Sequence, residues 1–207
     1  MAEYFKVHPD NPQQRLLEQA VAILRDGAIM AFPTDSCYAL GCRLDDKEGQ
    51  ERIRQLRQLD KNHHFTLMCR DLSDLGTYAQ VSNANYRLLR AHTPGAYTYI
   101  LPASAEVPRR LHHPKRKTIG LRIPDNAIVQ ELLKLLNEPL LSVTLMLPEF
   151  PEPFTDGEVI REYLEARVDI IIDGGYCSPE PTTVIDLESG TPEILRIGRG
   201  DPAPFEV

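Results

Sequence analysis

Small polar side chains cluster directly after an apolar run near residue 30. Residues 28–32 are apolar and have the length of a strand, and Pro33 ends that run because proline has no N–H for a strand ladder. The next five residues, TDSCY, begin with Thr34 and end with Tyr38. A buried strand that opens into small polar side chains often forms the rim of a ligand pocket. The alternative is an ordinary solvated loop.

Two later apolar segments carry small or positively charged side chains on one face only. Side chains alternate between the two faces of a strand, so residues 118–123 and 141–146 each have one wholly apolar face. The opposite faces consist of Thr118, Gly120, Arg122, Ser142, Thr144 and Met146. Such a face is poorly suited to packing against helices. We therefore expect a concave, positively charged sheet face that holds an anionic small molecule, with an exposed, ligand-free face as the alternative.

Helical and strand-like segments alternate along the first part of the chain, and strands follow one another at the end. This order, in a chain of 207 residues, predicts a single domain over residues 1–207 with an α/β (α+β) mixed sheet and flanking helices. Helices are predicted over about 12–24, 46–59, 126–136 and 155–166, with two more between 73 and 91. Strands are predicted at 28–32, 65–69, 96–101, 118–123, 140–145, 168–172, 182–187 and 193–197.

Composition limits the class of protein. No apolar run approaches the length of a membrane helix, and the N-terminus has no apolar signal-peptide core. The four cysteines suit a reducing compartment, so we expect a cytoplasmic protein without a membrane partner. Cys37 and Cys42 match no standard zinc spacing, and no metal site is predicted. Glycine-rich phosphate loops and the G-x-S-x-G motif are also absent.

Charge is divided unevenly along the chain, although the formal net charge is −7. Residues 1–148 carry 19 Lys and Arg against 16 Asp and Glu, whereas residues 149–207 carry 4 against 14. This balance argues against indiscriminate nucleic-acid binding and permits one local basic site. The most basic stretch is an arm at residues 109–117, whose cations are Arg109, Arg110, Lys115, Arg116 and Lys117.

Five segments together resemble a known family. Residues 33–41 are similar to its P-T-[ED]-x-x-[YF]-x-[LV]-G pattern, and residues 93–98 to its P-G-P-x-T turn. Residues 118–124 match [ST]-x-[AG]-x-R-x-P, residues 182–186 resemble S-T-[IV]-[VI]-D, and residues 194–198 match [IV]-x-R-x-G. On these motifs the chain is identified as a member of the YrdC-like family, with greatest similarity to its YciO branch.

The resemblance implies a fold, an activity and a set of site residues. Relatives are threonylcarbamoyl-AMP synthases, which use ATP, L-threonine and bicarbonate, with Mg²⁺ on the phosphates, to make an intermediate of tRNA t6A modification. The implied fold is a twisted mixed sheet with a large positive cavity. The residues implied for catalysis are Arg57, His63 and Arg122. The residues implied for substrate binding are Thr34, Tyr38, Thr98, Thr118, Ser142 and Thr144. The residues implied for nucleotide binding are Arg57, Arg122, Ser142, Thr183 and Arg196.

Two positions depart from the family pattern. The K-x-R motif of the synthases falls on Arg57-Gln58-Leu59, so the second cation is lost. The S-x-N motif falls on Thr144-Leu145-Met146, so the amide is lost. Charge-assisted hydrogen bonds contribute roughly 1.5–3 kcal/mol each, so we expect weak or redirected synthase activity. The alternatives are an adenylating or carbamoylating enzyme with a different acceptor, or a protein that binds tRNA or double-stranded RNA through the 109–117 arm.

Overall fold

The computed structural model describes all of residues 1–207 and contains one ten-stranded sheet flanked by six helices. The strands are β1 (Glu3–Lys6), β2 (Met30–Phe32), β3 (Ala39–Arg43), β4 (Thr66–Met68), β5 (Tyr97–Pro102), β6 (Thr118–Arg122), β7 (Leu140–Thr144), β8 (Ile170–Asp173), β9 (Thr183–Asp186) and β10 (Glu193–Arg196). The helices are α1 (Gln14–Arg25), α2 (Lys47–Arg57), α3 (Leu72–Tyr78), α4 (Asn83–His92), α5 (Ala127–Leu136) and α6 (Gly157–Leu164).

The sheet is mixed, in the order β1-β8-β2-β3-β7-β4-β6-β5-β9-β10. Four neighbouring pairs are parallel, namely β1–β8, β2–β8, β4–β6 and β5–β9. The other five pairs are antiparallel. The predicted mixed sheet with flanking helices is thus confirmed.

Helix starts follow the capping residues in most cases. Asp46, Asp71, Ser82, Asn126 and Asp156 each accept a hydrogen bond from a backbone N–H of the helix that they precede. Helix α1 differs, because it begins at Gln14 without a side-chain cap. The predicted start near residue 12 is therefore two residues early.

The two faces of the sheet bury different cores. One face packs against α2, α3, α4 and α6 and contributes to a cluster of 34 buried apolar residues. The other face packs against α1 and α5 in a cluster of 19, to which β5, β6, β9 and β10 contribute nothing. These two helices therefore cover only part of their face. The part of this face that the two helices leave uncovered includes the strands on which the sequence predicts polar side chains.

Strand β3 was not predicted from the sequence, and its central residue is a glycine. A Cβ atom on Gly41 would lie 2.8 Å from both the Leu141 carbonyl oxygen and the Phe32 ring. The glycine thus lets β2, β3 and β7 pack closely at this point. Its partner in the β3–β7 register is Ser142, which places the small residue beside a cavity hydroxyl.

Candidate active site

A cavity of about 410 Å³ opens on the uncovered part of the sheet. Its volume falls within the range of small-molecule sites. Strands β3 to β7, with β9 and β10, supply its floor, and the loops after β2, α2, β7 and β8 supply its rim. The lining includes three arginines and two histidines but no aspartate or glutamate.

Small side chains from four neighbouring strands, β4, β5, β6 and β7, meet on the floor of the cavity. Thr66 lies opposite Ser142 in the β4–β7 register and opposite Gly120 in the β4–β6 register. A Cβ atom on Gly120 would approach Thr98 Cγ2 to 3.3 Å and Thr66 Oγ1 to 3.4 Å. Ser142 Oγ donates to the Thr66 carbonyl oxygen at 3.2 Å, which fixes this hydroxyl on the floor. The predicted alternation on β6 and β7 is confirmed by these contacts.

Arg122 is the most deeply buried cation of the cavity, at 7% exposure. Its Nη2 donates to the Asp35 carboxylate and, at 3.3 Å, to Ser36 Oγ. Asp35 in turn accepts a hydrogen bond of 2.8 Å from the Asp125 backbone N–H. The Nε atom of Arg122 is buried without a hydrogen-bond partner. An unsatisfied guanidinium donor beside a cavity is the arrangement that an anionic ligand would complete.

Two further guanidinium groups reach the cavity without a carboxylate partner. Arg57 ends α2, and its Nε donates to the Met146 carbonyl oxygen at 3.1 Å. Arg196, on edge strand β10, donates to the carbonyl and hydroxyl oxygens of Thr182. Desolvation lowers the pKa of both Arg57 and Arg196 from the usual arginine value. Arg57 is half-buried, Arg196 on the edge strand is exposed, and neither forms an ion pair.

A pair of hydroxyl groups connects Arg196 to the floor. Thr98 Oγ1 and Thr182 Oγ1 are 2.7 Å apart, and Thr182 Oγ1 also accepts a hydrogen bond from Arg196 Nη2 at 3.1 Å. Thr182 was not predicted as a site residue. Farther along the same segment, Ile185 and Leu187 are buried in the core. Because side chains alternate, Thr183 shares their core face and Thr182 lies on the opposite face. This pattern was the signal that Thr182 faces the cavity.

His63 and Tyr38 complete the rim. The pKa of His63 is lowered, first by desolvation and then by the positive charges of Arg57 and Arg54. Tyr38 is fully buried, and its hydroxyl donates to the Gly175 carbonyl oxygen at 2.6 Å and accepts from the Gly174 N–H at 3.2 Å. Tyr38 therefore ties the rim loop after β2 to the loop after β8.

The structure brings most of the predicted site residues together but not all of them. Those that line the cavity are Tyr38, Arg57, His63, Thr98, Arg122, Ser142, Thr144 and Arg196. Thr34, Thr118 and Thr183 are buried and do not line it.

The hydroxyl groups of Thr34 and Thr183 serve the fold. Thr34 Oγ1 donates to the Cys37 carbonyl oxygen at 2.6 Å and accepts from the Ser36 N–H at 3.0 Å, which closes a local turn. Thr183 Oγ1 donates to the Gly200 carbonyl oxygen and accepts from the Gly198 N–H at 2.9 Å. Thr118 lies at the start of β6, opposite Pro102 of β5.

The two departures from the family pattern occupy different environments. Met146 lines the cavity beside Arg57. Leu59 does not line it and instead packs, partly buried, against the larger core cluster. The chain turns between Arg57 and Leu59 because Gln58 adopts a left-handed conformation with φ of 52°. The apolar side chain at position 59 therefore contributes to core packing and not to the cavity lining.

The basic arm lies outside the cavity and is fastened at two points. Arg116 forms ion pairs with Asp186 and Glu188, and Arg110 donates to the Leu44 carbonyl oxygen at 3.1 Å and to Gln50 Oε1 at 3.4 Å. None of the five arm cations lines the cavity. RNA binding by the arm stays a prediction. Fewer of the arm's positive charges are free to contact phosphates than its sequence suggests, because Arg116 is ion-paired.

No group of three or more His, Cys, Asp or Glu side chains is arranged to hold a metal ion. No helix combines the length and apolar character that a membrane span requires.

Fold and lining together define an α/β protein with a polar binding cavity on one half-covered face of a mixed sheet. The family model Sua5_yciO_yrdC, described as "Telomere recombination", matches residues 22–198. This chain therefore belongs to the Sua5/YciO/YrdC family. It is 56% identical to YciO of Escherichia coli (strain K12) over 207 residues, which cover 99% of this chain and 100% of YciO. The crystal structure of E. coli YciO superposes with a TM-score of 0.95 at 55% identity and 100% coverage of both chains.

More distant relatives have named activities or ligands. A threonylcarbamoyl-AMP synthase of Vibrio vulnificus (strain YJ016) is 29% identical over 186 residues, which cover 88% of this chain and 98% of the synthase. The structure of P. abyssi Sua5 complexed with L-threonine has a TM-score of 0.87 at 25% identity. That match covers 95% of this chain and 58% of the Sua5 chain.

Proposed function

We propose that this protein binds ATP in the cavity and forms threonylcarbamoyl-AMP from ATP, L-threonine and bicarbonate at a reduced rate. The observation that carries the proposal is the meeting of Arg57, Arg122 and Arg196 in a carboxylate-free lining, with Arg122 Nε buried and unpartnered. The relation to a threonylcarbamoyl-AMP synthase and to a Sua5 structure with L-threonine supports the choice of substrates.

The proposed reaction is an adenylation. The threonine amine forms an N–C bond to bicarbonate, a C–O bond breaks and water leaves, which gives a carbamate. A carbamate oxygen then attacks the α-phosphorus of ATP while the bond to the β-phosphate oxygen breaks and pyrophosphate leaves. Such a reaction depends on positioning and charge stabilisation, and it requires no protein nucleophile. The three arginines would hold the phosphates, and the hydroxyls of Ser142, Thr144 and Thr182 would orient the nucleotide or the carbamate.

The amino acid would lie near Tyr38 and His63 on the rim. The pKa of His63 is lowered, so its neutral form is favoured near neutral pH and could accept a hydrogen bond from the substrate ammonium or carbamate N–H. The residues form no carboxylate or histidine cluster for a protein-held Mg²⁺ ion. A Mg²⁺ ion would therefore enter on the nucleotide, held mainly by phosphate oxygens and water.

A rate below that of the synthases is expected from Met146. Its thioether lies where an amide occupies the family motif, and sulfur is only a weak hydrogen-bond acceptor. A lost hydrogen bond to a charged group costs roughly 1.5–3 kcal/mol, which is about 10- to 100-fold in rate if the bond acts in the transition state.

The test is pyrophosphate release that depends on both threonine and bicarbonate, together with calorimetry of ATP–Mg²⁺ binding. Arg122→Gln should weaken ATP binding by about 10- to 100-fold, since a charged donor is removed from the lining. The matched control is Arg87→Gln, because Arg87 is exposed on α4 and lies outside the cavity.

The outcomes separate the candidate functions. Binding of ATP without turnover would favour a binding protein, and turnover with another amine but not threonine would favour a different acceptor. Absence of ATP binding at millimolar concentration would exclude both adenylation proposals. RNA binding has less support, since Arg116 is paired with two carboxylates and Arg110 contacts the α2 region.

A further inference from the structure

A second, smaller cavity lies between the basic arm and the loop that precedes β4. Its volume is about 40 Å³, and it shares His63 and His64 with the main cavity. The two histidines therefore form a wall between the cavities. The opposite wall comes from Arg110, Leu111, His112 and Pro114 of the arm. A space of this size can hold a few water molecules or one tetrahedral oxyanion, but not a nucleotide.

The lining of this cavity is strongly basic and contains no aspartate or glutamate. Its cationic side chains are Arg54, Lys61 and Arg110, and none of the three forms an ion pair. Asp60 is the nearest acidic residue in sequence, and its carboxylate accepts from the Asn62 N–H at 2.7 Å without lining the cavity. The three cations line one small cavity without ion-pair partners, and Asp60 is the acidic residue that acts electrostatically on His63 and His64 beside them. Like charges in one cavity repel one another, and a bound anion would relieve that repulsion.

The two arginines are held in place by hydrogen bonds to backbone carbonyl groups and, for Arg110, also to the side-chain oxygen of Gln50. Arg54 Nη1 donates to the Asp60 and His63 carbonyl oxygens, at 2.9 and 3.2 Å. Arg110 uses its Nε and Nη2 atoms toward Gln50 and Leu44. A guanidinium group has five N–H donors, so each arginine keeps donors without a protein partner. Fixed cations with spare donors are suited to binding an oxyanion.

Histidine rings link the arm to the opposite loop beside this cavity. The His64 and His113 rings are 5.0 Å apart, and His113 Nδ1 accepts from the Lys115 and Arg116 N–H groups at 3.3 and 3.1 Å. The His113 proton therefore sits on Nε2 in the neutral ring. The pKa of His64 is lowered, first by desolvation and then by the charges of His113 and Arg54, while Asp60 acts in the opposite direction.

We propose that this cavity is a binding site for a phosphate-class oxyanion, separate from the nucleotide cavity. Inorganic phosphate and one end of pyrophosphate share the required chemistry of a compact tetrahedral group with several acceptor oxygens. Pyrophosphate would reach the site from the main cavity past His63 and His64, whereas phosphate would enter from solvent. The oxyanion site does not depend on the proposed adenylation, since its cations are different from the three arginines of the main cavity.

The test is calorimetric titration of the full chain with inorganic phosphate, and separately with pyrophosphate and ATP. Lys61→Gln should weaken phosphate binding by at least about tenfold, because one charge-assisted hydrogen bond is lost. Arg110→Gln should do the same, and Lys61 is the safer position because it is exposed and makes no hydrogen bond that the fold needs. Lys115→Gln is the control for both variants, since Lys115 is an exposed cation on the arm that carries Arg110 but does not line the cavity.

Arg122→Gln separates this site from the nucleotide cavity. Phosphate binding should persist in Arg122→Gln, and ATP binding should persist in Lys61→Gln. Tighter binding of pyrophosphate than of phosphate, lost in Lys61→Gln, would identify pyrophosphate as the source. Equal binding of the two anions would identify free phosphate. The proposal is overturned if phosphate does not bind, if Lys61→Gln and Lys115→Gln bind it equally, or if Arg122→Gln alone abolishes its binding.

Discussion

The change Asp35→Asn tests whether the Asp35–Arg122 pair is poised to receive an anion. Both side chains are buried, at 9% and 8% exposure. The carboxylate accepts hydrogen bonds from Arg122 and from the Asp125 backbone N–H. Asparagine keeps the shape but loses the charge, and only one of its two terminal atoms can accept. The variant therefore leaves Arg122 buried without its counter-charge.

The expected loss of stability can be estimated from this burial. Removing one partner of a buried ion pair costs about 3–5 kcal/mol, and the lower value applies because the cavity admits water on one side. A loss of about 3 kcal/mol lowers Tm by about 6–12 °C in a chain of this size. Asp125→Asn is the control, because Asp125 is exposed and its side chain makes no hydrogen bond, so its effect should stay within about 0.5 kcal/mol.

ATP should stabilise the Asp35→Asn variant more than it stabilises the wild type. In Asp35→Asn the phosphates would supply the charge that Arg122 has lost, so ATP should bind about tenfold more tightly than to the wild type, or about 1.4 kcal/mol. Urea denaturation with and without saturating ATP–Mg²⁺ measures the stability that the variant has lost and the stability that ATP adds. ATP should restore about half of the lost stability. The reasoning is refuted if ATP stabilises the variant no more than the wild type, or if the variant is as stable as Asp125→Asn without ATP.

Two other predictions follow from the same cavity. Met146→Asn alone should raise the rate of pyrophosphate release about tenfold, which corresponds to roughly 1.4 kcal/mol of barrier. Leu59→Arg should bring no gain, because Leu59 packs against the core. Equal rates in the wild type and in Met146→Asn would contradict this prediction. The pKa of His63 is lower in the folded than in the unfolded chain, so the unfolded chain binds a proton first as pH falls below about 6.5. The contribution of His63 to the free energy of unfolding is therefore complete above that pH and declines below it. Urea denaturation at about pH 7.5 and about pH 5.5 should show a smaller acid loss in His63→Gln, and an equal loss in both forms would argue against His63 as its source.

The cavity floor could be predicted from the sequence because its pattern is local. Alternation of apolar and small polar residues on β6 and β7 places Arg122 and Ser142 on one face wherever the strands pair. The same reasoning, applied to residues 182–187, would have chosen Thr182 over Thr183, since Ile185 and Leu187 fix the core face. That error came from following the family motif at this position and not the strand period.

Features that depend on distant segments could not be predicted in the same way. Asp35 and Arg122 are 87 positions apart in sequence, and nothing near either residue indicates their ion pair. Glycine is disfavoured in strand interiors in general, yet close packing against Leu141 and Phe32 leaves no room for a side chain at Gly41 of β3. The cavity itself exists because α1 and α5 cover only part of one sheet face, which no periodicity in a single element reveals.

The distribution of charge favours binding over turnover in this cavity. Arg57 and Arg196 lack carboxylate partners, so they can attract the phosphates of a bound nucleotide in the ground state. Asp35 already compensates part of the Arg122 charge, and Leu59 contributes to the core and not to the site. An interaction that is equal in ground and transition states lowers KM without raising kcat. Met146, which replaces the amide of the family motif, lies beside Arg57. Charge on the departing pyrophosphate would have to be stabilised there, so the replacement should lower kcat while ATP affinity is retained.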